Sequence, residues 1–137
     1  IMSTEGSPKV ISASYGAPET LFGKSKVEIS NTSFLKLGLA GFTYVASAGD
    51  VGPVLNPQNC KIFDAEFPAS SPYVLSVGGT KIDKFTGVEG AWEDGSGGFS
   101  VFAKRPSYQN AAVEHYLKTA TLPSNPNGEK YNIANRA

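Results

Sequence analysis

The residues of this chain best suited to chemistry are carboxylates set among glycines. Asp50 lies between Gly49 and Gly52 in "FTYVASAGDVGP", directly after an apolar, β-rich run from Phe42 to Ser47. The carboxyl end of a strand is where open α/β sheets bind ligands, and neighbouring glycines let a ligand approach the backbone closely. The structural alternative is an Asp that simply closes a turn. Asp64 and Glu66, just before "FPASSPY", are near enough to interact, but their Pro- and Ser-rich surroundings read as an exposed loop. Ser96 stands among glycines in "DGSGGFSVF", either a flat backbone ledge beside a substrate cleft or a flexible loop. Tyr15 in "SASYG" either lines a pocket or packs under a sheet.

Other chemistries find little support. His115 is the one histidine, in a segment that reads as an amphipathic helix beside Glu114 and Tyr116, where a solvated face is the ordinary position. A Ser-His-Asp triad within the chain is therefore disfavoured. Cys60 is the one cysteine, and with a single histidine it builds neither a metal site nor a redox pair. In a secreted protein it points to a partner thiol on another chain, and otherwise to a free thiol in a loop. The G-x-S-x-G elbow, the phosphate-binding G-x-x-x-x-G-K and the dinucleotide G-x-G-x-x-G are missing. Twelve basic residues balance twelve acidic ones, which argues against nucleic acid or an anionic membrane as partner. No apolar run approaches the roughly 20 residues that span a bilayer. Asn31-Thr32-Ser33 is a glycosylation sequon, relevant if the chain is secretory.

At 137 residues the chain has the size of one domain. It opens "IMSTEGSPKV", without a signal peptide, and reads as a processed, truncated or internally cleaved product. Lys9–Gly16 reads as a strand ending at a glycine. "APETLFGKSK" reads as a turn with a possible helix start. Val27–Ala40 has a broad apolar helical face of Val27, Ile29, Phe34, Leu35, Leu37 and Leu39, with Gly41 as its stop. With the strand Phe42–Ser47 this makes a βαβ unit, hence parallel strands and an α/β fold. Pro72–Val77 supplies a third strand, Gly87–Gly98 is turn-rich, and Ser107–Lys118 reads as a helix with Ser107 as its cap. The three strands end in "SYG", "SAGD" and "VGGT". Such a glycine-marked rim suits an extended peptide added as a strand.

"PKVISASYG", "GFTYVASAGDVG", "FPASSPYVLSVGGT" and "SGGFSVFAKRPSYQNAAVEHYL" occur in that order. Together they resemble the sedolisin family of serine-carboxyl peptidases, including its tripeptidyl-peptidase branch, from about Pro8 to Arg136. The resemblance implies part of a subtilisin-like parallel sheet flanked by helices. It implies that Asp50 helps form the oxyanion hole, with Ala48 where a Ser is commoner. A carboxylic acid kept protonated at low pH donates a hydrogen bond to a developing oxyanion, and an ordinary Asp titrates near about 4. Ser14, Tyr15 and Gly16 would form one wall of the substrate cleft, and Ser96, Gly97 and Gly98 the ledge opposite.

The same resemblance implies what the segment lacks. The family's nucleophilic Ser follows an R-x-x-P-D stretch that would begin about where this chain ends in "NRA". Its Glu and Asp bases lie on a helix upstream of "PKVIS", and its calcium loop lies near the C-terminus. Residues 1–137 are thus expected to be the central portion of a catalytic domain, without metal ligands or cofactor and inactive alone. The expected partners are a peptide or protein substrate and companion segments of the same domain, and the expected location is secreted or lysosomal/vacuolar. The alternative is a non-catalytic cleavage product acting as a binding, storage or defence protein.

Overall fold

In the computed structural model, residues 4–52, 63–122 and 131–137 are described. Cys60 and the end of the Asp50 stretch, Pro53, lie outside them. Along the chain run β1 (Val10–Ala13), β2 (Ala17–Pro18), α1 (Glu19–Phe22), α2 (Lys24–Leu39), β3 (Thr43–Ser47), β4 (Glu66–Phe67), β5 (Leu75–Val77), β6 (Thr80–Ile82), β7 (Glu89–Ala91) and α3 (Asn110–Thr119). One turn of 3-10 helix, Ser107–Gln109, leads into α3. Ser107 makes no side-chain cap, because that turn separates it from the start of the α-helix.

The expected βαβ unit is present. Strands β1 and β3 pair in parallel, Val10 opposite Thr43 through Ala13 opposite Ala46, with α2 between them in sequence. β5 adds on the other side of β3, also parallel, giving the order β1-β3-β5. The helix ends where the sequence says it should. Gly41 has φ +79°, its N–H donates to the Gly38 carbonyl, and the Phe42 N–H donates to the Leu37 carbonyl. That pair of bonds is a Schellman cap, which needs a left-handed residue at the glycine.

The apolar face of α2 is narrower than its composition suggests. Val27 is buried, and Phe34 packs on the core of Ala46, Ala69 and Val74 with its ring 4.9 Å from that of Tyr44. Ile29 and Leu39 are exposed. At about 100° per residue they lie roughly 200° and 120° round the helix from Val27, away from the sheet.

Only one face of the sheet is covered among the described residues. Partners in parallel strands share a face, so Ile11, Ala13, Tyr44, Ala46 and Ser76 point one way and Val10, Val45, Leu75 and Val77 the other. On the second face Val10 is 63% exposed and Leu75 56%. Parallel sheets are normally covered on both faces.

Two small antiparallel pairs went unread in the sequence. Ala17–Pro18 pairs with Glu66–Phe67, which brings the segment after β1 against the one before β5. Thr80–Ile82 pairs with Glu89–Ala91 in a hairpin whose turn is built on Asp83. Its Oδ1 accepts from the N–H groups of Phe85 and Thr86 and from the Thr86 hydroxyl.

Candidate active site

The three strand ends form one rim, and two loops close over it. After β3 the chain turns at Ala48, whose N–H donates to the Val77 carbonyl at 2.9 Å and so ties the turn to the end of β5. Gly49 is buried with φ +107°, a conformation open to glycine and strained for other residues, while Asp50 is exposed. The loop carrying Ser96 lies against this turn. The Ser96 N–H donates to the Gly49 carbonyl at 2.9 Å, the Val51 N–H donates to Ser96 Oγ at 3.1 Å, and the Gly52 N–H donates to the Asp94 carbonyl at 3.0 Å.

Ser14, Tyr15 and Gly16 follow β1 on the same rim, and Tyr15 is 69% exposed rather than packed under the sheet. Between this segment and the Gly49 turn stands Glu66. A β-carbon on Gly16 would lie 2.6 Å from Glu66 Oε2, and one on Gly49 would lie 2.5 Å from Glu66 Oε1. One carboxyl group therefore fills the space that two glycines leave open. A cavity of about 60 Å³ nearby is lined by Ala48, Glu66, Gly97 and Gly98. The structure thus brings the Asp50 turn and the Ser96–Gly98 ledge together, with the Ser14–Gly16 segment facing them across Glu66.

Glu66 and its neighbour Asp64 depart from the expected exposed loop. Asp64 is buried, and its Oδ2 accepts from the N–H and the hydroxyl of Thr20. Glu66 is half-buried, with its carboxyl pKa held above the ordinary 4.5, first by desolvation and then by the charge of Asp50. The β2–β4 pairing causes both effects, because it draws residues 64–67 in beneath the rim.

A further carboxyl group, with little local signal in the sequence, ties distant segments around this rim together. Glu19 is fully buried. It accepts from the Ser70 hydroxyl at 2.9 Å, the Ser100 hydroxyl at 2.8 Å and the Val101 N–H at 2.6 Å. Ser100 in turn accepts from the N–H groups of Phe102 and Ala103. Glu19 lies three residues after Gly16, and Ser100 two after Gly98, so this anchor links the Ser14–Gly16 segment to the Ser96–Gly98 loop. Its signal in the sequence is faint: an acid just after a glycine turn, and two distant segments with serines to satisfy it.

Arg136 is buried on the other side of "FPASSPYV". Its guanidinium donates to the carbonyls of Ala69, Ser71 and Val74, and desolvation lowers its pKa. His115 lies on an exposed position of α3 and takes no part in the turn-and-ledge hydrogen bonds given above. Asn31 of the sequon lies within α2, half-buried. Among the described residues no three His, Cys, Asp or Glu side chains gather as a metal site, and no helix is long and apolar enough to cross a membrane.

Comparison with known proteins gives this geometry a context. No family model matches the chain. It is 40% identical over 116 residues to the probable tripeptidyl-peptidase SED2 of Arthroderma benhamiae, across 81% of this chain and 19% of that protein. It is 35% identical over 141 aligned positions to tripeptidyl-peptidase 1 of Bos taurus, across 100% of this chain and 25% of that protein. Kumamolisin of a Bacillus species is 35% identical over 114 residues. The chain thus spans about a fifth to a quarter of the length of the curated relatives it matches. In fold it is similar to Pseudomonas sedolisin, solved with two molecules of pseudo-iodotyrostatin, with a TM-score of 0.65 and 24% identity over 93% of this chain and 43% of that one. The parallel sheet with its helices is the subtilisin-like α/β arrangement of that fold. With relatives of these names along nearly its whole length, the chain belongs to the sedolisin family of serine-carboxyl peptidases, on its tripeptidyl-peptidase-like side.

Proposed function

We propose that this chain is the central portion of the catalytic domain of an acid serine-carboxyl peptidase, and that Asp50 supplies a hydrogen bond to the oxyanion. The observation that carries the reading is the place of Asp50. It is an exposed carboxyl on a glycine turn at the end of a central parallel strand, pinned to the Ser96–Gly98 ledge and facing Glu66.

The substrate is an extended peptide or protein segment lying between Ser14–Gly16 and Ser96–Gly98. Backbone on both sides of the cleft meets peptide groups of any sequence, and Tyr15 offers an aromatic face to a side chain. As a Ser nucleophile attacks the carbonyl carbon, negative charge grows on the carbonyl oxygen. In its protonated form the Asp50 carboxyl donates to that oxygen, an interaction stronger in the transition state than in the ground state. The nucleophile and its carboxylate bases come from companion segments of the same domain, as does any calcium site. The protein acts in a secreted or lysosomal/vacuolar compartment, where Asn31 is a glycan acceptor.

Intact-mass analysis of native material tests this assignment by looking for companion chains with a Ser-bearing G-T-S peptide. In the assembled peptidase Asp50→Ala, which leaves no side-chain donor, cuts turnover at acid pH by about a hundredfold or more, the usual loss for one oxyanion donor. Unchanged turnover removes Asp50 from the oxyanion hole. Native material without companions, and without peptidase activity near about pH 4, leaves a non-catalytic protein.

A further inference from the structure

The hydrogen bonds around Asp50 single out one residue. Two peptide units flank the Asp50 α-carbon: the Gly49–Asp50 unit, which carries the Gly49 carbonyl, and the Asp50–Val51 unit, which carries the Val51 N–H. Ser96 holds both. Its N–H donates to the Gly49 carbonyl at 2.9 Å, and its Oγ accepts from the Val51 N–H at 3.1 Å. With both planes fixed, the direction of the Asp50 Cα–Cβ bond is fixed as well. The turn needs this help, because glycines at 49 and 52 are the residues least able to hold a conformation unaided.

The chemistry of Ser96 suits the task. An alanine keeps the bond to the Gly49 carbonyl and loses the bond from Val51, while a threonine keeps both acceptor and donor. Ser96 itself is held at a fixed height above the turn. The Gly95 N–H donates to the Trp92 carbonyl at 3.1 Å, and the Trp92 N–H donates to the Gly79 carbonyl at 3.0 Å, which ties this loop to the end of β5. Ser96 Oγ also sits 2.7 Å from where a Gly49 β-carbon would be, so hydroxyl and turn are in direct contact.

We propose that Ser96 is a positioning residue for Asp50: its side-chain hydroxyl, rather than lining the cleft for substrate, locks the Asp50 turn in the orientation that aims the carboxyl at the reacting carbonyl. This rests on the oxyanion role proposed for Asp50. It differs from the role expected of Ser96 on the ledge, where the backbone alone would matter and the hydroxyl would be dispensable.

The test uses the assembled peptidase, this chain with its companion segments, and a double-mutant cycle. Ser96→Ala lowers kcat roughly tenfold with KM nearly unchanged, because a small misplacement of a catalytic group costs rate rather than binding. Ser96→Thr recovers most of that loss. In an Asp50→Ala background, Ser96→Ala causes no further loss. Amide hydrogen exchange at Val51 quickens in Ser96→Ala and not in Ser96→Thr. The proposal is overturned by an unchanged kcat in Ser96→Ala, by equal losses with and without the Asp50 carboxyl, or by unfolding of both variants on circular dichroism. Full turnover in Asp50→Ala defeats the oxyanion reading and this proposal with it. Loss of turnover in Asp50→Ala beside normal turnover in Ser96→Ala defeats this proposal alone.

Discussion

Glu66 and Gly49 are fitted so closely that a β-carbon on the glycine would stand 2.5 Å from the Glu66 carboxyl carbon. Three separate penalties follow for Gly49→Ala: the contact with Glu66, a contact at 2.7 Å with Ser96 Oγ, and the backbone conformation. The Glu66 contact is relieved if that side chain swings aside, since its carboxyl is the far end of a flexible chain. The backbone penalty at φ +107° remains whatever Glu66 does. Gly49→Ala is expected to cost about 1–3 kcal/mol of stability by urea denaturation. Repeating it in a Glu66→Ala background should recover only the Glu66 part, leaving the Ser96 contact and the backbone penalty, and full recovery would show that the backbone was unstrained.

The pH dependence of stability has a sign set by Glu66. Its folded-state pKa is raised above 4.5, by burial and then by Asp50, so between 4.5 and the raised value the folded state holds more proton than the unfolded one. Stability contributed by this group is present below its unfolded pKa and declines as pH rises through the folded value. Glu66→Gln should therefore stabilise the chain near about pH 7 and change little near about pH 3. Denaturant midpoints at the two pH values check this. A variant that gains more at the acid end would reverse the assignment.

Glu19 is satisfied entirely by donors, two hydroxyls and one backbone N–H. Glu19→Ala leaves them unpaired in a buried site and is expected to cost roughly 3 kcal/mol. Glu19→Gln is not a rescue. Its amide nitrogen must face one of three donors, so it should still lose about 1–2 kcal/mol. Thermal melts of both variants measure the effect. A wild-type melting temperature in Glu19→Gln would mean that the serine hydroxyls turn to accept.

The parts of this fold legible in the sequence are those whose cause is local. The run Val10–Ala13, the Val27 and Phe34 spacing with Gly41, and the run Thr43–Ser47 each carry their own periodicity or stop signal, so the βαβ unit and its rim could be read directly. Asp50 was visible because a strand end and its glycines are adjacent in sequence. Glu19 was not, because its partner Ser100 lies 81 residues away and no spacing rule connects them. Glu66 and Asp64 depart from the local expectation for a related reason. Their Pro- and Ser-rich neighbours favour a surface loop locally, and the two-residue pairing with Ala17–Pro18 overrides that preference. The Thr80–Ala91 hairpin has no clear sequence signal, since its second strand, Glu-Gly-Ala, has little β-propensity of its own.

The order β1-β3-β5 leaves the outer margins of β1 and β5 without a further strand among the described residues, beside a face where Val10 and Leu75 are bare. A copy that adds to one such margin presents a fresh one of its own, so growth of this kind has no built-in stopping point, unlike a closed two-fold pair. A strand that covers either margin, rather than a tighter core, is what would end such growth.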